Sequence, residues 1–295
     1  MRILFMGSPD FAVESLKALI AAKFEICAVV TQPDRPKGRG YALYPTATGA
    51  FAEQQGFDVY KPEKLKNGEL MPILEKNVPD VIVVAAYGKI LPEYILSYPK
   101  YGCVNVHASL LPAYRGASPI NFAIINGEKE TGITTMLMDK GLDTGDILMQ
   151  QSTPIYNEDN AETLHDRLAV IGGELLCKTL HGLEDGTVTP VKQTGNFSYA
   201  PLITAETKKI SFSDTKENII NKIRGLSPVP GAIAYAEGKT VKIYSATEAD
   251  GPHDGLLTVK AADGWVRITE LAPEGKKRMS DEALLRGNRN FHFDS

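Results

Sequence analysis

The sequence predicts two bodies: a mixed α/β domain built on a mostly parallel sheet, followed by a smaller β-rich domain. Three observations carry this. Residues 80–86 (DVIVVAA) form one continuous apolar run, the pattern of a strand covered on both faces. Strand and helix periods alternate from residue 2 to about residue 182, as in repeated βαβ units. After Gly186 the alternation stops, and short strands with turn signals take over. The length of 295 residues suits about two domains at roughly 150 residues each.

Residues 2–7 (RILFMG) read as a buried strand. Phe11, Val13, Leu16, Leu19 and Ile20 then recur at helical spacing, which predicts a helix over 9–23. A strand over 25–32 leads into PDRPKGRGYALYP, read as a loop because of its Pro and Gly content. A helix near 46–55, a strand at 57–60 and a helix at 68–77 precede the apolar run. Strands at 102–107, 133–138 and 147–151 and helices at 118–126 and about 160–182 complete the first domain. Residues 187–204 show neither period and read as a linker. A helix near 216–224 stops at Ser227-Pro228-Val229-Pro230-Gly231. AIAYAEGKTVKIYSA and LLTVKAADGWVRITEL then read as hairpins, turning at Glu237-Gly238 and Asp263-Gly264. About 90 residues of this kind suggest a small barrel or sandwich.

Composition narrows the function. Hydrophobic content of 43% and charge of 23% are those of a globular chain able to bury a large core. The net charge of −4 gives no general pull toward nucleic acid. The acidic excess lies in residues 1–204, and 205–295 carries a slight basic excess. A nucleic-acid partner would therefore be held by local basic patches. Cys27, Cys103 and Cys177 are odd in number and widely spaced, so they read as buried, reduced thiols, which fits a cytoplasmic location. The apolar run Ile3–Met6 is too short for a signal peptide, and no run approaches the ~18 residues of a membrane span. The histidines show no ligand spacing with cysteine, so no metal site is expected.

The chemistry concentrates at VNVHASLLPAYRG. Asn105 and His107 lie two apart in a strand and so share a face. Strand ends of open α/β sheets bind ligands. An amide donor beside an imidazole suits a carbonyl carbon whose oxygen turns anionic. The loop DKGLDTGD, 139–146, follows a strand predicted to end at the same edge. Asp139, Asp143 or Asp146 could pair with His107 and fix its tautomer; spacing alone leaves all three open. Gly7-Ser8-Pro9-Asp10-Phe11 is a helix start without the GxGxxG pattern, which argues against a dinucleotide. Arg35, Lys37 and Arg39 place three cations on a Gly-rich loop that can approach phosphates.

Together these segments resemble the methionyl-tRNA formyltransferase family of the folate-dependent formyltransferases. The matching stretches are GSPDF, TQPDRPKGRG, AYGKILP, NVHASLLPAYRGASPI, MDKGLDTGD and GKKRMSDEALLRGNR. The resemblance implies a Rossmann-like catalytic domain over 1–188, a linker over 189–204, and an OB-like, tRNA-binding barrel over 205–295. It implies formyl transfer from 10-formyltetrahydrofolate, a consumed cosubstrate, to the α-amino group of initiator methionyl-tRNA. It assigns catalysis to Asn105, His107 and Asp143. Ser109, Leu110, Leu111 and Pro112, with Ile90, Leu91, Asp139 and Gly141, would line the folate pocket. Arg35, Lys37 and Arg39 would meet the acceptor stem. Lys208, Lys209, Arg224, Lys276, Lys277 and Arg278 are further phosphate candidates. The family implies a monomer. Tyr41-Ala42, Gly49, Leu202 and Val229 depart from the family's usual residues, which removes several basic contacts from the tRNA side. The competing acceptor is a small amine such as an amino-sugar nucleotide.

Overall fold

The structure, a computed structural model, describes residues 1–37 and 42–294. The chain begins with β1 (Arg2–Gly7), α1 (Asp10–Ala21) and β2 (Glu25–Val30). Then come β3 (Arg35–Lys37), β4 (Ala42–Tyr44), α2 (Ala47–Gln54), β5 (Val59–Tyr60), α3 (Met71–Asn77), β6 (Val81–Ala85) and α4 (Glu93–Leu96). Next are β7 (Cys103–His107), β8 (Arg115–Gly116), α5 (Pro119–Ile125), β9 (Glu130–Leu137), β10 (Ile147–Pro154), α6 (Ala161–Asp185) and β11 (Tyr199–Ala200). The C-terminal elements are α7 (Lys216–Leu226), β12 (Ala232–Ala236), β13 (Lys239–Ala249), β14 (Thr258–Ala261), β15 (Gly264–Pro273), β16 (Met279–Ser280) and α8 (Asp281–Gly287).

Two compact units divide the chain: 1–116, 132–152 and 166–199 in one, and 117–131, 153–165 and 200–295 in the other. The first holds a seven-stranded sheet ordered β10-β9-β7-β6-β1-β2-β5. The pairs β6–β7, β1–β6, β1–β2 and β2–β5 are parallel, and β7–β9 is antiparallel. β6 sits at the centre and every residue of it is buried, which explains its unbroken apolar run. One core layer joins Leu4, Met6, Val30, Leu74, Ile82 and Ile95. Each such side chain contributes roughly 1.5–3 kcal/mol by leaving water.

The stretch expected as a loop, Pro33–Pro45, contains two short strands, β3 and β4, that pair with each other. Arg35 pairs with Tyr44 and Pro36 with Leu43, antiparallel. A two-stranded ribbon has free edges, so a proline can sit in it without breaking a ladder.

In the second unit the sheet order is β12-β13-β15-β14, with β16 added beside β15. α7 covers it. Thr215 caps this helix by accepting the Asn218 N–H at 3.3 Å, and Ile219, Ile223 and Leu226 form its apolar stripe against Val241, Ile243 and Ile268. Gly225 lets α5 and α7 meet closely. A Cβ there would lie 2.6 Å from the Ile125 side chain and 2.9 Å from the Asn121 carbonyl. The Glu237-Gly238 turn falls where expected, with φ of 51° and 72°. The second hairpin turns one residue earlier than expected, because Ala261 pairs with Gly264.

Burial pushes the Cys103 thiol up to about 12, and burial also raises Cys27 and Cys177. A thiol reagent at about pH 8 should therefore modify the native protein slowly and all three cysteines quickly once it is unfolded. Rapid labelling of Cys103 in the native state would contradict its burial.

Candidate active site

β7 delivers the two polar side chains to one face. Val104 and Val106 are buried on the opposite face, as period two requires. His107 is almost fully buried and Asn105 is half-buried. Nε2 of His107 lies 3.0 Å from the Tyr114 carbonyl. A carbonyl only accepts, so Nε2 carries the proton and Nδ1 faces the other way. There Nδ1 meets Asp143 Oδ2 at 3.7 Å, with side-chain exposures of 7% and 13%. That spacing is too long for a direct hydrogen bond, and the two groups attract as an ion pair only when Nδ1 also carries a proton. The Asn105 amide hydrogen-bonds no protein group among the described residues.

Asp143 is the carboxylate that meets His107. Asp139 is occupied by its own loop, accepting the Gly141 N–H at 2.9 Å and the Thr144 hydroxyl at 2.7 Å. The loop does not leave at the sheet edge expected from sequence. β9 runs antiparallel to β7, so the loop sets out beside Cys103, whose carbonyl accepts the Met138 N–H at 2.8 Å. It then turns back to bring Asp143 to His107. Gly145 makes this turn possible, because a Cβ there would collide with the Leu137 carbonyl. Gly145→Ala should destabilise the protein by about 1–3 kcal/mol through this overlap, read as a lower urea midpoint. An unchanged midpoint would show that the loop has room.

The Ser109–Pro112 turn is held from β9 and β10. The Thr134 hydroxyl donates to the Ser109 carbonyl at 2.7 Å and accepts the Leu111 N–H at 3.0 Å. Gln150 donates to Thr134 Oγ1 and to the Leu111 carbonyl, both at 2.9 Å. Ser109 itself donates to the Ala113 carbonyl at 2.6 Å. Sequence reasoning missed Thr134 and Gln150. For Thr134 the available signal was its polarity in an otherwise buried strand, and it becomes informative only with the register that sets Thr134 opposite His107; Gln150 lies in a largely polar, exposed strand that gave no signal.

Other sequence candidates scatter. Leu91 is packed in the core beside β6, whereas Ile90 is 84% exposed. Leu111 is buried, Leu110 and Pro112 are half-buried, and Asp139 and Gly141 are exposed. Arg35 lines a cleft of about 480 Å³ with Ser8, Gln32, Tyr44 and Tyr87. Arg39 lies outside the described residues, as does the side chain of Lys37. Arg224 spends its guanidinium on the Tyr156 and Asn157 carbonyls. Arg278 forms a two-point pair with Glu270 at 2.5 Å, and Lys209 pairs with Glu206 at 2.8 Å.

Residues 1–180 match the formyl transferase family model, and residues 202–289 match the formyl transferase C-terminal domain model. A methionyl-tRNA formyltransferase of Pelotomaculum thermopropionicum is 47% identical over 97% of this chain and 96% of its own. One from Caldanaerobacter subterraneus subsp. tengcongensis is 49% identical over 98% and 97%. Among solved structures, a sugar 3N-formyltransferase, WlaRD, studied with dTDP and 5-N-formyl-THF, has a TM-score of 0.68 at 21% identity, covering 94% of this chain and 99% of its own. HypX from Aquifex aeolicus, in complex with tetrahydrofolic acid, has a TM-score of 0.68 at 17% identity over 97% of this chain, which spans 47% of that protein. At such identities the two structures bear on fold alone. The two relatives share nearly half their residues with this chain from end to end, and on that ground the chain belongs to the methionyl-tRNA formyltransferase family.

Proposed function

We propose that this chain transfers the formyl group of 10-formyltetrahydrofolate to the α-amino group of methionine esterified to initiator tRNA, yielding N-formylmethionyl-tRNA for translation initiation. The observation that carries this reading is the uncommitted Asn105 amide two residues from a shielded His107–Asp143 pair. Such a set is suited to acyl transfer to an amine.

The acceptor α-amino group has an ordinary pKa of about 8, so the site must favour its free base. The amine nitrogen bonds to the formyl carbon, the bond from that carbon to folate N10 breaks, and one proton passes from the amine to N10. Asn105 donates to the oxygen as it becomes anionic. Asp143 steadies the His107 ring and any proton the ring takes at Nδ1. The cosubstrate supplies the formyl carbon at the formate oxidation level, so no electron donor is required. The Ser109–Pro112 turn, rigid through Thr134 and Gln150, offers Leu110, Leu111 and Pro112 as an apolar wall for the pterin. Ile90 is an apolar side chain left in water, which a ring stacked on it would cover. Leu91 anchors that segment, and Asp139 and Gly141 flank the pocket.

In this reading residues 1–188 catalyse, 189–204 link, and 205–295 form an OB-like domain that binds tRNA. Arg35, Lys37 and Arg39 meet acceptor-stem phosphates. The chain acts as a cytoplasmic monomer. Among the described residues no helix is long and apolar enough to cross a membrane. A second reading takes an amino-sugar nucleotide as acceptor, since WlaRD, a protein of like fold, is a sugar 3N-formyltransferase, though that likeness bears on fold alone. The test is formyl transfer with charged initiator tRNA, glycinamide ribonucleotide and an amino-sugar nucleotide in competition. Formylated methionyl-tRNA is the expected product, and its yield should fall steeply with salt. Turnover with only a small amine would move the assignment to the second reading.

A further inference from the structure

The Asp143 carboxylate accepts the Gly116 N–H at 2.8 Å, but its backbone needs further support. Its φ of 52° lies in the left-handed region, disfavoured for a residue with a Cβ, and the preceding Gly141 and Leu142 are exposed. The support comes from the stretch that lacks any periodicity in sequence. The Gln193 amide nitrogen donates to the Asp143 carbonyl and to the Gly145 carbonyl, each at 2.8 Å. Its Oε1 accepts from Arg115 Nε at 3.1 Å and Nη2 at 2.6 Å. Two carbonyls on one side and a guanidinium on the other permit only one orientation of this amide. Arg115 is buried, and its guanidinium stacks on Phe197 at 4.9 Å. The same segment reaches the His107 side. Ser198 Oγ accepts the Tyr114 N–H, and the Ser198 carbonyl accepts the Arg115 N–H, both at 2.9 Å. Tyr114 supplies the carbonyl that holds His107.

We propose that Gln193 is a positioning residue for formyl transfer, acting on Asp143 with Arg115 as its counterpart. The proposal rests on the function stated above. Gln193→Glu is the informative change. It keeps an acceptor for Arg115 and nearly the same volume, yet it sets an oxygen, with no N–H, against two carbonyls.

The experiment compares the full-length wild type, Gln193→Glu, Asp143→Asn and the double variant. Gln193→Glu should lower kcat by about 10²-fold through misplacement of Asp143, with KM for both substrates near wild type. In the Asp143→Asn background the same change should cost little more, because groups acting as one unit are non-additive. Multiplying losses, or an unchanged kcat, would overturn the proposal. Amide hydrogen exchange across residues 139–146 gives a readout independent of turnover. Faster exchange is expected there in Gln193→Glu, and in Gln193→Met should the glutamate variant fold poorly. If the wild type formylates no acceptor, the functional reading falls by itself. Unchanged protection of 139–146 would then overturn the clamp separately.

Discussion

Asn105→Ala should lower kcat for formyl transfer by about 10²–10³-fold, the usual cost of deleting one oxyanion donor. The reasoning starts from β7. Backbone pairing with Val84 and Met136 holds Asn105 in the middle of three strands, so the side chain has little positional freedom. Its amide is committed to no other protein group among the described residues, so its removal leaves no orphaned partner. Stability should therefore change little, and KM should follow stability, not kcat. Single-turnover measurement of formyl transfer separates the chemical step from product release. Full turnover in Asn105→Ala would remove the oxyanion role and leave the chemistry to His107 and Asp143.

Asp281→Asn should destabilise the C-terminal unit by about 3 kcal/mol, the low end of what breaking a buried ion pair costs. Asp281 is 1% exposed and begins α8, where a carboxylate also favours the helix dipole. Arg267 grips it at two points, 2.8 and 3.1 Å, and the Leu257 N–H adds a third bond at 3.2 Å. The low-end figure follows because Arg267 is 27% exposed and retains Glu282 at 2.9 Å. Burial opposes ionisation of Asp281, but the bonds from Arg267 and from the Leu257 and Glu282 N–H groups outweigh it. Its carboxyl is therefore held below the usual aspartate value. A lowered folded value means that the contribution is complete above the unfolded value of about 3.9 and is lost as pH falls through the folded one. Urea unfolding should thus separate wild type from Asp281→Asn at neutral pH and bring them together only once the pH falls below the lowered folded value. A gap that persists in acid would place the effect in packing, not charge.

Local periodicity carried much of the fold. An unbroken apolar run can be a doubly covered strand, and β6 is one. Residues two apart in a strand share a face wherever that strand sits, so Asn105 and His107 could be paired by reading alone. The linker stretch and the strand pair near Arg35 were less legible, since their order comes from partners and not from a repeating pattern. The basic residues show the same limit. Arg224 counts as a free cation in sequence, yet in the fold it is tied to two carbonyls.

What the sequence determined by itself is therefore the alternation of elements, the Asn–His face and the family. Each depends on residues near one another in the chain or on whole-length similarity. Only the tertiary structure decided that β9 opposes β7, that Asp143 and not Asp139 meets His107, and that Gln193 reaches Asp143 from 50 residues away. Strand direction and side-chain pairing are settled by which distant groups pack together, and no local period records that choice.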